Sequence, residues 1–148
     1  MRLIVTGHRL KKLSNYDLGW IQFSIDDLVS NLQSEGVTLA YSGMADGVDL
    51  WFCQACLWNK LSYIACIPFE EQSDYMLKED RELRTSLLST AAAKMNVRNS
   101  WMVEHADIAI VCWDGNKGGT HNVVQQLVEN NKPFYWINPV GEKVWNCT

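Results

Sequence analysis

Short apolar runs alternate with stretches of helical periodicity along this chain, and that alternation constrains its fold more than any other feature. Residues 2–6 (Arg-Leu-Ile-Val-Thr) read as a buried strand ending at Gly7. The segment 8–15, with His8, Arg9, Lys11 and Lys12, reads as a polar, basic loop. Leu18, Ile21, Ile25, Leu28, Val29 and Leu32 then fall on one face of a helix over 17–34, with Gly36 as its stop. Strands follow at 37–41, 62–67, 107–113 and 134–137, and helices at about 48–59, 74–93 and 120–131. A shorter helical piece carries Trp101, Met102 and Val103.

Five short, two-sided apolar strands alternating with helices predict an α/β chain. The expected architecture is a single Rossmann-like domain over residues 1–148, its mainly parallel sheet covered by helices on both faces. With 148 residues, 47% of them hydrophobic, the chain can bury a full core without disulfide or metal staples. A net charge of -4 and a pI near 5.3 lack the basic footprint of a nucleic-acid binder. No apolar run approaches the roughly 18 residues of a membrane helix. The chain enters a strand directly at Arg2, which is unlike a signal peptide. Cys53, Cys56, Cys66, Cys112 and Cys147 are odd in number, and three of them lie in apolar runs, so they read as reduced, buried thiols. These features predict a cytoplasmic protein that engages neither membrane nor nucleic acid, with no metal site among its cysteines and histidines.

Ligands of parallel sheets bind at the carboxyl ends of the strands, so the loops there carry the chemistry. The first loop is Thr6-Gly7-His8-Arg9: Gly7 permits close backbone approach, and Arg9 can grip phosphate with two prongs. The second is Ser42-Gly43-Met44-Ala45-Asp46-Gly47, feeding a helix near Val48, a pattern suited to anions. Asp46 can cap that helix or take a ribose hydroxyl. A third loop, Gly115-Asn116-Lys117-Gly118-Gly119-Thr120, also enters a helix. Ordinary strand-to-helix turns use the same residues for backbone reasons. Three such loops on one edge, with Arg9 and Arg98 free to converge on it, favour a ligand site. Trp113 ends the preceding strand, where a base can stack on it. Neither the dinucleotide fingerprint nor the Walker loop occurs.

The stretch Met95-Asn96-Val97-Arg98-Asn99-Ser100-Trp101-Met102, then Ala106-Asp107, an apolar strand and Gly118-Gly119-Thr120, resembles the core of the SLOG superfamily. That group includes the LOG-type phosphoribohydrolases and the DprA- and YpsA-like Rossmannoid domains. Ser42 to Asp49 is similar to the second loop of YpsA-like and DprA-like members, and Thr6 to Arg9 to the first loop of the YpsA-like branch. Together these segments span residues 3–137. The resemblance implies a Rossmann-like fold that binds nucleotides or nucleotide-derived molecules.

In LOG-type enzymes an Arg and a Glu act on the N-glycosidic bond of a nucleoside monophosphate. Here Arg98 and Met102 hold the matching positions, Asn99 replaces a Lys, and Asn122 stands where the Glu would be. An amide cannot do a carboxylate's acid–base work. LOG-like hydrolysis is the alternative reading, and it needs Asp46, Asp49 or Glu104 as a substitute. Other members sense NAD-derived or cyclic ADP-ribose-like signals in bacterial immunity.

The resemblance therefore implies a non-catalytic sensor or sequestering protein, as in anti-phage signalling or phage counter-defence. Its ligand is expected to be a phosphate-bearing nucleotide or NAD-derived molecule, and no cofactor is required. The expected contacts are Gly7, His8, Arg9, Ser42, Gly43, Met44, Ala45, Asp46, Arg98, Trp113, Gly118, Gly119, Thr120 and Asn122. Asp46 and Asn122 are assigned to hydroxyls or base edges. Phe69, Glu70, Glu71 and Tyr75 are placed to form a wall or lid. A homo-oligomer is expected, with Trp51 and Trp58 marking the subunit contact.

Overall fold

Strand β1 (Arg2–Gly7) is the centre of the sheet in the computed structural model, which describes residues 1–148. The chain winds outward from it through β2 (Leu39–Ser42), β3 (Ser62–Cys66) and β4 (Ala93–Met95). It then returns to β5 (Ile108–Cys112) on the other side of β1, and continues through β6 (Phe134–Asn138) to β7 (Lys143–Cys147). The order is β4-β3-β2-β1-β5-β6-β7, with every pair parallel except β6 and β7. The winding reverses between β1 and β5. Their following loops diverge there and open a crevice at the carboxyl edge.

The side-chain period of two sets the layers. Leu3 and Val5 of β1, with Ile110 and Cys112 of β5, face one core. That core is closed by α2 (Leu18–Ser34), α3 (Val48–Trp58) and α4 (Lys78–Thr90). Ile4, Ala109 and Val111 face the other, closed by α5 (Asn99–His105) and α6 (Gly119–Glu129). Helix α2 starts at Asp17, whose carboxylate accepts the Trp20 N–H at 3.0 Å, and ends before Gly36 at φ 115°. Its stripe Ile21, Ile25, Leu28, Val29 and Leu32 is buried, each side chain stabilising the fold by about 1.5–3 kcal/mol. The α/β, Rossmann-like expectation holds, and no helix is long and apolar enough to cross a membrane.

Three local expectations are corrected. The 8–15 loop contains a single-turn helix, α1 (Leu10–Leu13), anchored by the fully buried Leu13. One turn is too short to show periodicity. The helix expected over 74–93 is a 3-10 turn (Glu70–Tyr75) followed by α4, and the alanines Ala91 to Ala93 leave it. They are drawn onto the edge of β3, where the Ala92 N–H donates to Tyr63 O at 2.9 Å and Ile67 N–H to Met95 O at 2.7 Å. Ladder bonds there outweigh the helix preference of alanine. Finally, β7 folds back on β6 through Gly141 at φ 79° and Glu142 at φ 54°, adding an antiparallel edge where no element was expected. The sheet thus has seven strands rather than five.

Candidate functional site: a polar cleft at the carboxyl edge

The loops after β1 and β2 are locked together by two glycines. A Cβ on Gly7 would lie 2.6 Å from Cγ1 of Val48, the first residue of α3. A Cβ on Gly47 would lie 2.8 Å from the Leu10 nitrogen and 3.0 Å from His8 O, and its φ of 83° is itself a glycine conformation. Only bare backbone lets the start of α3 press against the first loop.

His8 ties that loop to the loop after β5. Its buried ring lies with Nε2 3.0 Å from Asp114 Oδ1 and Nδ1 3.4 Å from Thr120 Oγ1. One arrangement satisfies both contacts: Nε2–H donates to the carboxylate and Nδ1 accepts from the hydroxyl. The Asp114 backbone N–H, 3.2 Å from Nε2, donates to that nitrogen only in the other tautomer. Burial pushes the Asp114 carboxyl up, but hydrogen bonds from the Asn116 N–H and from His8 outweigh it and hold the group below its ordinary value.

Between these loops lies a cleft of about 570 Å³. Its cations come from the first loop. Arg9 Nε donates to Asp46 Oδ1 at 2.6 Å, and its side chain stays 45% exposed. Lys11 and Lys12, on α1, line the cleft without an ion pair. Lys12 Nζ lies 3.0 Å from where a Cβ of Gly118 would sit, so the ammonium abuts the entry of α6. That helix starts at Gly119 with no side-chain cap. Its first N–H groups have no acceptor within the helix, and Gly119 and Thr120 face the cleft.

The second loop is occupied by its own structure. Ser42 Oγ accepts the Met44 N–H at 3.3 Å and donates to Asp49 O at 3.1 Å. Met44, at φ 61°, sinks its side chain into the core, where its sulfur meets Cys53 Sγ at 3.6 Å. Gly43 O accepts from Gln72 Nε2 at 2.7 Å, and buried Arg84 braces both Met44 O at 3.3 Å and Gln72 Oε1 at 3.0 Å. Burial pushes the Arg84 guanidinium below its ordinary value.

The Ala45 N–H is taken by Asp49 Oδ2 at 3.1 Å. Asp49 lies part-buried against the cleft with its carboxyl raised to about 7. Burial is the main cause. The Ala45 bond opposes it, neighbouring Asp46 adds to it, and Arg9 partly offsets it.

Of the expected contacts, Gly7, Arg9, Gly43, Ala45, Asp46, Gly119 and Thr120 line the cleft. His8, Ser42 and Met44 are buried behind its wall as struts, and Gly118 sits against Lys12. Trp113 stands off the cleft. It stacks on His121 at 5.5 Å, lies tilted by 36° to Trp136 at 5.4 Å, and donates from Nε1 to Asn116 O. Arg98 is exposed ahead of α5 and Asn122 is exposed on α6, and neither reaches the cleft.

The cleft adds Lys11, Lys12, Asp49, Gln72 and Asn99; of the expected wall residues Phe69, Glu70, Glu71 and Tyr75, Tyr75 alone lines it. Tyr75, 76% exposed, forms a rim with Pro68. The lysines were visible as a basic run directly after the first strand. Nothing local in the sequence marks Gln72, which the 3-10 turn carries to the wall.

Cys53 and Cys56 are buried free thiols, and burial pushes the Cys53 thiol up to about 12. No group of three or more His, Cys, Asp or Glu converges as metal ligands would.

No protein-family model matches this chain, and no curated protein matches it in sequence. Solved structures do share its fold. The molybdenum cofactor carrier protein from Chlamydomonas reinhardtii superposes with a TM-score of 0.62 at 11% identity, over 91% of this chain and 74% of that one. The molybdenum cofactor binding protein from Rippkaea orientalis gives 0.58 at 19% identity, over 93% and 76%. DNA processing protein A (DprA) from Streptococcus pneumoniae gives 0.63 at 15% identity, over 91% of this chain and 49% of that one. The chain therefore shares the Rossmann-like α/β fold of these structures, the fold that its loop resemblance implies.

Proposed function

We propose that the cleft binds a phosphate-bearing nucleotide or an NAD-derived molecule of the ADP-ribose kind, linear or cyclic, and does so without catalysis. One observation carries this reading: the uncapped start of α6 and the unpaired Lys11 and Lys12 line the same cleft as the half-exposed Arg9. Backbone N–H groups, a helix dipole and ammonium charges on one point suit a phosphate. The volume is that of a small-molecule site, and Tyr75 at the rim offers a planar face for a base.

Asn122, at the position of the LOG-type carboxylate, is exposed on α6 and turned to amide chemistry. The structural neighbours include a carrier and a binding protein for a small cofactor, which supports a holding role over a cutting one. A cytoplasmic sensor or sequestering protein in bacterial immune signalling or phage counter-defence is the role that the family resemblance suggests. A homo-oligomer is part of this reading, with Trp58, 82% exposed, in the contact; light scattering reports it.

Thermal-shift and calorimetric titration with AMP, NAD, ADP-ribose and cyclic ADP-ribose tests the binding. At least one is expected to bind and to be recovered intact. Release of free base from AMP on incubation would replace the binder with a phosphoribohydrolase.

A further inference from the structure

The cleft has two ends of opposite character. The α1–α6 end carries ammonium groups and free N–H donors. The α3 end carries acceptors: Asp46, Asp49 and the side chain of Asn99. Asp46 is already committed, its Oδ1 2.6 Å from Arg9 Nε. Asp49 is committed on one side only. Its Oδ2 is fixed by the Ala45 N–H, while Oδ1 has no partner in the chain. Gly43 keeps a side chain out of the gap beside this carboxylate: a Cβ there would come 3.1 Å from Asp49 Oδ2 and 3.9 Å from Asn99 Oδ1, and Gly43, Asp49 and Asn99 all line the cleft. A carboxylate held in place with one bare oxygen repels phosphate and rewards a neutral donor.

Resting on the phosphate reading of the other end, we infer that Asp49 is the specificity-determining residue of this cleft, accepting a hydrogen bond from the sugar hydroxyls of the ligand beside Asn99. The ligand class is then a ribose phosphate with its diol intact, rather than any small anion. Around Asp49 the charged groups are Asp46 on its own loop and Arg9 on the first, with the thiols of Cys53 and Cys66 beneath it. Its carboxyl, raised to about 7, gains acceptor strength across the neutral range.

Calorimetry with AMP, 2′,3′-dideoxy-AMP and inorganic phosphate tests this at pH 6 and pH 8. The wild type should bind AMP about tenfold or more tightly than the dideoxy compound, the size of one hydrogen bond to a charged group. The ratio should widen at pH 8. Both nucleotides carry the same phosphate, so its own titration cancels. Asp49→Ala should bring the two affinities together and leave phosphate binding unchanged. If that variant does not fold, Asp49→Asn carries the test, since an amide oxygen still takes the Ala45 N–H. Equal binding of the two nucleotides by the wild type, or a ratio untouched in both variants, overturns the role of Asp49. If phosphate and both nucleotides fail to bind, the reading of the whole cleft falls, and this inference with it.

Discussion

Replacing Asp49 by Asn removes a charge that the fold holds at a disadvantage. The folded protein keeps the Asp49 proton up to about pH 7, whereas the ordinary value is 3.8. The folded state thus binds the proton more tightly than the unfolded chain. The wild type is favoured where Asp49 is protonated, loses that advantage as pH rises from about 3.8 towards 7, and is level above. The whole displacement corresponds to at most about 4 kcal/mol. Between pH 5 and pH 8 the fraction still to be lost is about 2–3 kcal/mol before screening. Oδ1 meets water in the cleft, so about 1–2 kcal/mol is the expected size. Urea unfolding of wild type and Asp49→Asn at pH 5, 6, 7 and 8 measures it. The variant should gain on the wild type by that amount across the series, and the other titrating groups cancel in the difference. Any other effect of the amide adds the same offset at every pH, so the slope of the difference carries the test. A difference that stays flat from pH 5 to pH 8 would refute the burial argument.

Two further substitutions probe the frame of the cleft. Gly47→Ala places a methyl against Leu10 and His8 backbone at a left-handed φ, and should lower stability by about 2 kcal/mol or more in the same unfolding assay. A loss under about 0.5 kcal/mol would mean that the two loops do not interlock. His8→Ala strips Asp114 and Thr120 of their shared partner and should cost about 1–3 kcal/mol. It should also speed amide hydrogen exchange in the loop after β5 more than in β3, and uniform exchange would contradict the strut role.

Much of the scaffold is legible in the residues alone. Leu3, Val5 and Ile4 announce a two-sided strand, and the Ile21 to Leu32 stripe announces α2, because both patterns are local periods. Ala93 to Met95 carries no such signal; it becomes a strand only because β3 has a free edge. The short β7 needs β6 beside it in the same way. The glycine loops are visible, yet their uses are exchanged. Gly7 and Gly47 serve packing between loops, and the second-loop amide of Ala45 holds Asp49 rather than a ligand. Arg98 and Lys12 trade prominence for a geometric reason. α1 bends Lys12 onto the start of α6, a contact 106 positions away in sequence that no spacing rule encodes, whereas Arg98 ends up exposed before α5.

In the proposed complex Lys11, Lys12 and the start of α6 hold a phosphate. The most direct measurement is calorimetric titration of AMP and ADP-ribose into the wild type and into K11E/K12E at two salt concentrations. The wild type should show saturable one-site binding that weakens with salt. The double variant should lose about tenfold or more in affinity while its unfolding curve matches the parent. Binding of equal strength in both proteins, or none in the wild type at millimolar ligand, would contradict it.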